Sequence, residues 1–252
     1  MDYRYGIKEC NEFFLDHRAN TRCKGLTYNE FLAAKEEDLP ARVQKKLSTM
    51  NRRGIYQLYY GSVKNFRPYN AVEVYTKYKS RNIIDPYAGW GGRLFGAISM
   101  GLNYTGFDTN TNLKTPYEQL IKKYNKGGVI SMNFTDSSKI DYSVYSYDTI
   151  LTSPPYYDRE LYEGMPEYTT KGKFEEEVIK PTLTGLWNNL PVGGVMALNV
   201  PTKLYRYIVG IFGEETEKLP YKTKTGGCKR VYDEYTYVWI KTHSGQIGAK
   251  SQ

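Results

Sequence analysis

The chain has 252 residues, of which 40% are hydrophobic and 25% charged, a composition typical of globular domains. No apolar run approaches the roughly 20 residues of a membrane span, and the first residues lack the apolar stretch of a signal peptide, so we expect a cytoplasmic protein. The three cysteines are an odd and widely spaced set, which argues against a disulfide framework. Two histidines are too few for a zinc site or a Ser-His-Asp triad, and we expect no metal.

The net charge of +8 is concentrated between residues 41 and 80, where nine basic residues stand against one acidic residue. A second basic stretch runs from Lys218 to Arg230. Clustered positive charge is typical of a protein with a polyanion partner, because each neutralised phosphate releases counterions. A solvated helix face is the alternative, and charge alone does not separate the two. The residues that we assign to nucleic-acid contacts are Arg52, Arg53, Lys224, Lys229 and Arg230.

The predicted elements begin with a helical, basic N-terminal extension over residues 1–64, in which Thr27 and Glu30 form a capping box and Pro40 interrupts the pattern. From residue 82, short apolar runs alternate with helix-length segments. Predicted strands cover residues 82–85, 104–108, 128–132, 147–152, 194–200 and 235–240, and predicted helices cover 93–100, 116–124 and 174–189. This alternation indicates an α/β fold, a mostly parallel Rossmann-like sheet with helices on both faces and the last strand at or near an edge. We assign this domain to residues 65–245 and a flexible tail to residues 246–252.

The first candidate site follows the first predicted strand, where Gly89, Gly91 and Gly92 form a turn. In an open α/β sheet, ligands bind beyond the carboxyl ends of the strands, and such glycines let the backbone approach the ligand closely. The dinucleotide fingerprint needs another glycine where this chain has Leu94, which weakens a pyrophosphate-binding interpretation. Asp108 ends the second strand and is placed to accept hydrogen bonds from ribose hydroxyls. Together, the two features favour an adenosine-type ligand over a tight turn with a capping aspartate.

The second candidate site is the loop of Ser153, Pro154, Pro155 and Tyr156 after the fourth predicted strand. Two successive prolines cannot lie inside a central strand, so they end it on the same sheet edge as the glycine turn. An exocyclic amine of a flipped base needs acceptors, such as the Ser153 hydroxyl and the Pro154 carbonyl, and an aromatic surface such as Tyr156. No general base is evident, in keeping with an aromatic amine that loses its proton during or after attack on a strong electrophile. The alternative is a stiff turn.

The segments Asp85 to Gly92 and Ser153 to Tyr156 resemble those of the S-adenosylmethionine-dependent amino-methyltransferases that modify adenine N6 or cytosine N4 in DNA. The resemblance covers about residues 65–200 and implies a Rossmann-like methyltransferase fold with S-adenosylmethionine as cofactor. It also implies that Ser153, Pro154, Pro155 and Tyr156 are catalytic. The cofactor-binding residues that it implies are Phe66, Arg67, Asp85, Pro86, Ala88, Gly89, Gly91, Asp108, Asp136 and Ser137.

Within that family, serine at the first position of the catalytic tetrapeptide is seen more often with cytosine N4 than with adenine N6, so Ser153 favours cytosine. The order of the two motifs implies that the target-reading segment lies outside the interval between them. The candidates are the basic N-terminal region and residues 203–232. Neither is long enough for a large recognition domain, which favours a short or degenerate site, a homodimer or single-stranded DNA.

Two alternatives remain open from the sequence. One keeps the cofactor and changes the substrate to an RNA base or a protein glutamine amide; the basic stretch favours nucleic acid but does not separate DNA from RNA. The other is an inactive methyltransferase-like subunit that binds nucleic acid, against which the intact motifs argue. The sequence leaves open whether a partner nuclease exists, as a restriction-modification role would require.

Overall fold

The computed structural model describes residues 2–22, 25–61, 63–155, 157, 170–221 and 235–243. Its helices are α1 (Ile7–Ala19), α2 (Tyr28–Ala33), α3 (Ala41–Leu47), α4 (Arg52–Tyr59), α5 (Pro68–Lys77), α6 (Gly92–Ser99), α7 (Lys114–Tyr124), α8 (Lys171–Phe174), α9 (Lys180–Asn189) and α10 (Thr202–Phe212). Its strands are β1 (Asn82–Asp85), β2 (Asn103–Asp108), β3 (Ile130–Phe134), β4 (Thr149–Thr152), β5 (Val195–Val200), β6 (Glu217–Pro220) and β7 (Tyr235–Ile240). A π turn, Glu175–Ile179, joins α8 to α9.

The described strands form one sheet in the order β3-β2-β1-β4-β5-β7-β6. Strands β1 to β5 pair in parallel, whereas β7 is antiparallel to both β5 and β6. The carboxyl ends of β1 to β5 therefore meet at one edge of the sheet, which we call the carboxyl edge. The predicted fold, a mostly parallel Rossmann-like sheet with helices and a helical N-terminal region, is confirmed.

Two apolar clusters cover the two faces of the sheet, because successive strand side chains point to opposite sides. In β1, Ile83 belongs to the cluster that α6 and α7 help to form, and Ile84 to the cluster that includes α9 and α10. Helix α1 joins the first cluster through the fully buried Cys10 and Phe14. Helices α2 to α4 bury a separate small cluster of their own. The N-terminal region thus contributes one helix to the main core and a small helical unit beside it.

The structure corrects several sequence-predicted bounds. Strand β3 begins two residues later than predicted, and the helix predicted from Phe174 begins at Lys171 and contains the π turn. Strand β6 was not predicted, because it is short, half polar and ends in a proline at the sheet edge. The capping box is confirmed: Thr27 accepts from the Glu30 amide at 3.2 Å, and the Glu30 carboxylate accepts from the Thr27 amide at 2.7 Å. None of the described helices combines the length and the apolar character needed to cross a membrane.

Candidate active site

A buried ion pair lies beneath the carboxyl edge. Arg93, in the first turn of α6, donates from Nε to Asp85 Oδ2 at 2.6 Å, and the two side chains are 4% and 0% exposed. Burial would lower the pKa of Arg93, but the Asp85 carboxylate and its hydrogen bond outweigh burial and hold it above the usual value. The Tyr104 hydroxyl also donates to Asp85 Oδ2 at 2.6 Å. The buried carboxylate therefore accepts from a second donor besides Arg93, and such additional hydrogen bonds help a buried pair to be tolerated.

The same carboxylate joins the two predicted motifs. Asp85 ends β1, and its Oδ1 accepts from the hydroxyl of Thr152, the last residue of β4, at 2.7 Å. The amide of Tyr87, in the glycine-turn segment, donates to the same oxygen at 3.3 Å. Thr152 directly precedes Ser153. The buried side chain of Asp85 therefore fixes the position of the glycine turn relative to the predicted catalytic loop.

The three glycines of the turn differ in how closely their neighbours approach. Gly89 and Gly91 both have positive φ, at 62° and 73°. A Cβ atom on Gly91 would lie 2.6 Å from the Phe14 ring, and one on Gly92 would lie 1.9 Å from the Phe66 carbonyl oxygen. A Cβ atom on Gly89 would come no closer than 3.7 Å to its neighbours, an ordinary contact distance. Gly89 is partly exposed and is required by its positive φ, while Gly91 and Gly92 also admit close packing of α1 and of the segment before α5.

Asp108 lies at the end of β2 beside this turn. Its Oδ2 accepts from the Gly89 amide at 2.9 Å and faces the Tyr117 hydroxyl at 3.2 Å. Its Oδ1 accepts from the Asn110 amide at 2.9 Å. Burial raises the pKa of Asp108 to about 6, against the lowering effect of these hydrogen bonds. The carboxylate is partly exposed, and each oxygen can accept more than one hydrogen bond, so Oδ1 keeps acceptor capacity for a ligand hydroxyl.

The loop after β3 also reaches the glycine-turn segment. The buried Ser137 donates its hydroxyl to the Pro86 carbonyl, which ties the two predicted cofactor segments together. Asp136 accepts from the amide and the hydroxyl of Ser138 at 2.9 and 2.8 Å. Burial raises the pKa of Asp136, but these hydrogen bonds outweigh burial and leave the pKa below its usual value. Asp136 is thus a partly exposed carboxylate that stays ionised beside the turn.

The segment before α5 packs on the glycine turn. The Asn65 side chain donates to the Trp90 carbonyl at 3.0 Å, and the Arg93 guanidinium lies 5.0 Å from the centre of the Phe66 ring. The Arg67 amide donates to the Tyr221 hydroxyl at 2.8 Å. The neighbouring Ala88 is buried, and its amide donates to the Phe107 carbonyl at 2.8 Å, which joins the turn to β2.

The predicted catalytic loop is described in part. Ser153 and Pro155 are partly exposed and Pro154 is buried, directly after β4 at the carboxyl edge. Tyr156 lies outside the described residues. The Tyr157 ring lies 6.2 Å from the ring of Phe174, the last residue of α8. The structure therefore brings Ser153 to the same edge as Gly89, Asp108 and Ser137.

Sequence reasoning missed the residues that hold this edge together, namely Arg93, Tyr104, Tyr117 and Thr152. One signal was present in the sequence. Arg93 begins the otherwise apolar run from Leu94 to Ile98, and a basic residue inside a helix buried on all sides needs an acidic partner. Arg93, Tyr104 and Thr152 lie 8, 19 and 67 positions from Asp85 in the sequence. No local sequence pattern connects these positions.

The two arginines predicted to contact nucleic acid differ in their surroundings. Arg52 Nη1 donates to the carbonyl oxygens of Phe31, Leu32 and Ala34 at 3.3 to 3.4 Å and so caps the end of α2. Arg53 is exposed, and no ion pair or hydrogen bond of its side chain is present within the described ranges. Lys224, Lys229 and Arg230 lie outside the described residues. The contact of all five with nucleic acid stays a prediction.

This difference predicts separable effects of two substitutions. Arg52→Ala is expected to lower the free energy of unfolding by about 1 kcal/mol, because three helix-terminal carbonyls lose their donor. Arg53→Ala is expected to leave stability unchanged. Urea denaturation of the two variants beside the wild type measures both values, and equal stability of all three proteins would contradict the capping role of Arg52.

Comparison with known proteins finds solved structures of partly similar fold but no relative in sequence. No protein family matches the chain, and no curated protein is similar to it in sequence. TrmN from Thermus thermophilus is 17% identical with a TM-score of 0.48, over 69% of this chain and 48% of TrmN. NSun6 from Pyrococcus horikoshii, solved with SFG, is 14% identical with a TM-score of 0.49, over 81% of this chain and 57% of NSun6.

A third similar structure is an S-adenosylmethionine-dependent methyltransferase from Clostridium acetobutylicum ATCC 824. It is 10% identical with a TM-score of 0.48, over 76% of this chain and 98% of that protein. The chain spans about half the length of TrmN and of NSun6. At such identities and TM-scores the similarity assigns neither an activity nor a substrate to this chain.

Proposed function

We propose that the protein is an S-adenosylmethionine-dependent methyltransferase that methylates the exocyclic amine of a flipped DNA base, with cytosine N4 favoured over adenine N6. The observation that carries the proposal is the hydrogen bond from Thr152 to Asp85. It holds the Ser153 loop and the glycine turn at one edge of the sheet, as a transfer between two bound molecules requires.

The residues around the turn fit the proposed cofactor. Gly89 is partly exposed, so its backbone can meet a ligand, and Asp108 Oδ1 has capacity to accept from a ribose hydroxyl. In this proposal Asp136 and Ser137 hold the adenine ring, which the contact of Ser137 with the Pro86 carbonyl supports, and Phe66 and Arg67 cover the other end of the cofactor. When bound, S-adenosylmethionine supplies a methyl group on a positively charged sulfur, which is the electrophile of the reaction.

The chain's own residues supply position and orientation. The Ser153 hydroxyl and the Pro154 carbonyl accept the two hydrogens of the amine, which aims the nitrogen lone pair away from the loop. Tyr156 stacks on the flipped base. We assign Asp85 a positioning role, because it is fully buried and its carboxylate accepts from Arg93, Tyr104 and Thr152 of the protein itself. The proton leaves the amine to solvent, without a dedicated base.

Transfer of a radioactive methyl group from S-adenosylmethionine to unmodified DNA tests the proposal. Incorporation by the wild type and its loss in Ser153→Ala would support it. Incorporation into RNA alone would move the substrate to RNA, and cofactor binding without incorporation into any nucleic acid would indicate an inactive subunit.

The raised pKa of Asp108 predicts that cofactor affinity depends on pH. Ribose hydroxyls donate to the ionised carboxylate, so binding favours the charged form, and affinity rises as pH increases through about 6. At pH 5 the dissociation constant is expected to be about tenfold higher than at pH 8, since one proton must leave. Asp108→Asn should bind more weakly at pH 8 and lose this dependence. Calorimetric titration with S-adenosylhomocysteine measures both, and an equally steep profile in the variant would remove Asp108 from the ribose site.

A further inference from the structure

Four side chains at the β6 end of the sheet form one surface. The Lys218 ammonium group in β6 lies 4.2 Å from the centre of the Tyr235 ring and 5.5 Å from that of the Tyr237 ring, both in β7. The ring of Tyr205 in α10 stacks on Tyr237, with ring centres 4.0 Å apart. Lys218 is exposed, and Tyr205 and Tyr235 are partly exposed. We call these four residues the β7 surface, which lies at the carboxyl edge because the antiparallel β7 begins there with Tyr235.

Strand pairing relates the β7 surface to the predicted catalytic loop, which follows Thr152. Thr152 pairs with Leu198 of β5, and Leu198 pairs with Tyr237. Tyr237 in turn pairs with Lys218, so this row of residues crosses four strands. Neighbouring strands are about 4.8 Å apart, which puts Lys218 roughly 14 Å from Thr152. A nucleic-acid strand advances about 3.4 Å per nucleotide, so a strand bound at the loop reaches Lys218 within about four nucleotides.

The charge of Lys218 is free to meet a ligand. None of the ion pairs among the described residues includes it. Three acidic residues lie just before it in the chain, namely Glu214, Glu215 and Glu217. Glu215 accepts from the Tyr205 hydroxyl, and Glu217 forms an ion pair with Lys77 of α5 at 2.7 Å. Because β6 runs from these residues toward the carboxyl edge, Lys218 lies nearer to that edge than they do.

We propose that Lys218 binds a backbone phosphate of the nucleic-acid substrate, a few nucleotides from the target base, and that Tyr235 holds its ammonium group in place. The inference rests on the proposed function for its ligand. An ammonium group is a compact charge with three donors, which suits a phosphate, and its contact with the Tyr235 ring reduces the rotamer freedom lost on binding. A lysine on an edge strand also prevents pairing with other sheets, and the experiment separates that structural role from phosphate binding.

The test measures nucleic-acid binding by the full chain and by variants of Lys218. Fluorescently labelled single-stranded DNA, duplex DNA and RNA of one sequence are titrated at several salt concentrations. Lys218→Gln is expected to weaken binding about fivefold and to reduce the salt slope by about one, because one phosphate contact is lost. Lys218→Arg keeps the charge and should retain both the affinity and the salt slope.

The role of Tyr235 is tested on the same ligands. Tyr235→Leu removes the ring and should weaken binding about threefold with an unchanged salt slope, because the charge of Lys218 remains. The double variant with Lys218→Gln should bind as weakly as Lys218→Gln alone, since the ring acts through the lysine. Additive losses in the double variant would overturn the positioning role of Tyr235.

Lys126→Gln is the matched control, because Lys126 is an exposed lysine between α7 and the start of β3, at the opposite edge of the sheet. It should leave binding unchanged. Thermal unfolding of each variant provides a second control. Wild-type nucleic-acid binding by Lys218→Gln would overturn the inference, and a lower melting temperature in that variant would then make Lys218 a structural part of the sheet edge.

Methyl transfer is measured on the same proteins to keep the two proposals apart. A wild type that binds nucleic acid through Lys218 and transfers no methyl group would leave the inference standing and overturn the proposed function. An active DNA methyltransferase whose DNA binding is unchanged by Lys218→Gln would do the reverse. A chain that binds no nucleic acid would overturn both.

Discussion

Asp85→Asn is expected to lower the free energy of unfolding by about 3 to 5 kcal/mol, because the substitution leaves Arg93 buried without its counter-charge. The two side chains are almost completely inaccessible, so water cannot replace the lost partner. The same variant weakens the link between the glycine turn and Thr152, and we expect methyl transfer to fall further than the loss of folded protein explains. Urea denaturation and activity at a temperature where the variant is folded measure the two effects.

Two controls separate the buried pair from a general effect of charge removal. Glu176→Gln breaks the exposed ion pair with Lys180, 2.7 Å long, and should change stability little. The double variant Asp85→Asn with Arg93→Met should recover part of the stability, because no charge is then left buried. If the Asp85→Asn protein were as stable as the Glu176→Gln protein, the hydrogen bonds of Asp85 would not be what holds the carboxyl edge together.

Tyr156→Ala is expected to reduce kcat/KM for DNA by about 10- to 100-fold, because stacking of one base on an aromatic ring contributes about 1 to 3 kcal/mol. Tyr156→Phe keeps the ring and should retain most of the activity. Both variants should bind S-adenosylhomocysteine like the wild type, since the proposed cofactor residues Gly89, Asp108 and Asp136 follow β1, β2 and β3. Steady-state kinetics and calorimetry on the three proteins test this role. Wild-type activity in Tyr156→Ala would remove the residue from the site.

Much of the sheet could be predicted from the sequence because buried parallel strands are short apolar runs with turns at their ends. Strands β1, β2, β4, β5 and β7 were found within two residues of their bounds. Strand β6 was missed because its stability comes from pairing with β7 and not from its own apolar content. Helix α5 was not predicted, although Pro68 at its first position is a common start of a helix.

The candidate site also has features that the sequence shows and features that it does not show. Candidate residues with a local signature, such as Gly89, Asp108 and Ser153, could be proposed from the sequence, because glycine turns, strand-terminal acids and paired prolines are visible in a few positions of sequence. The hydrogen bonds that bring these residues together join positions far apart in the chain, as between Asp85 and Thr152. Only the three-dimensional fold reveals them, and it also separated the structural Arg52 from the exposed Arg53.

The central claim is that the Ser153 loop and the glycine turn form one active site for methylation of a base amine in DNA. The most direct measurement supplies S-adenosylmethionine with a deuterated methyl group to the protein, together with unmodified genomic DNA and total RNA in one reaction. The two nucleic acids are then separated, digested to nucleosides and analysed by mass spectrometry. We predict deuterated N4-methylcytosine in the DNA and its absence with Ser153→Ala. Deuterated methyl groups in the RNA alone, or in neither nucleic acid, would contradict the claim.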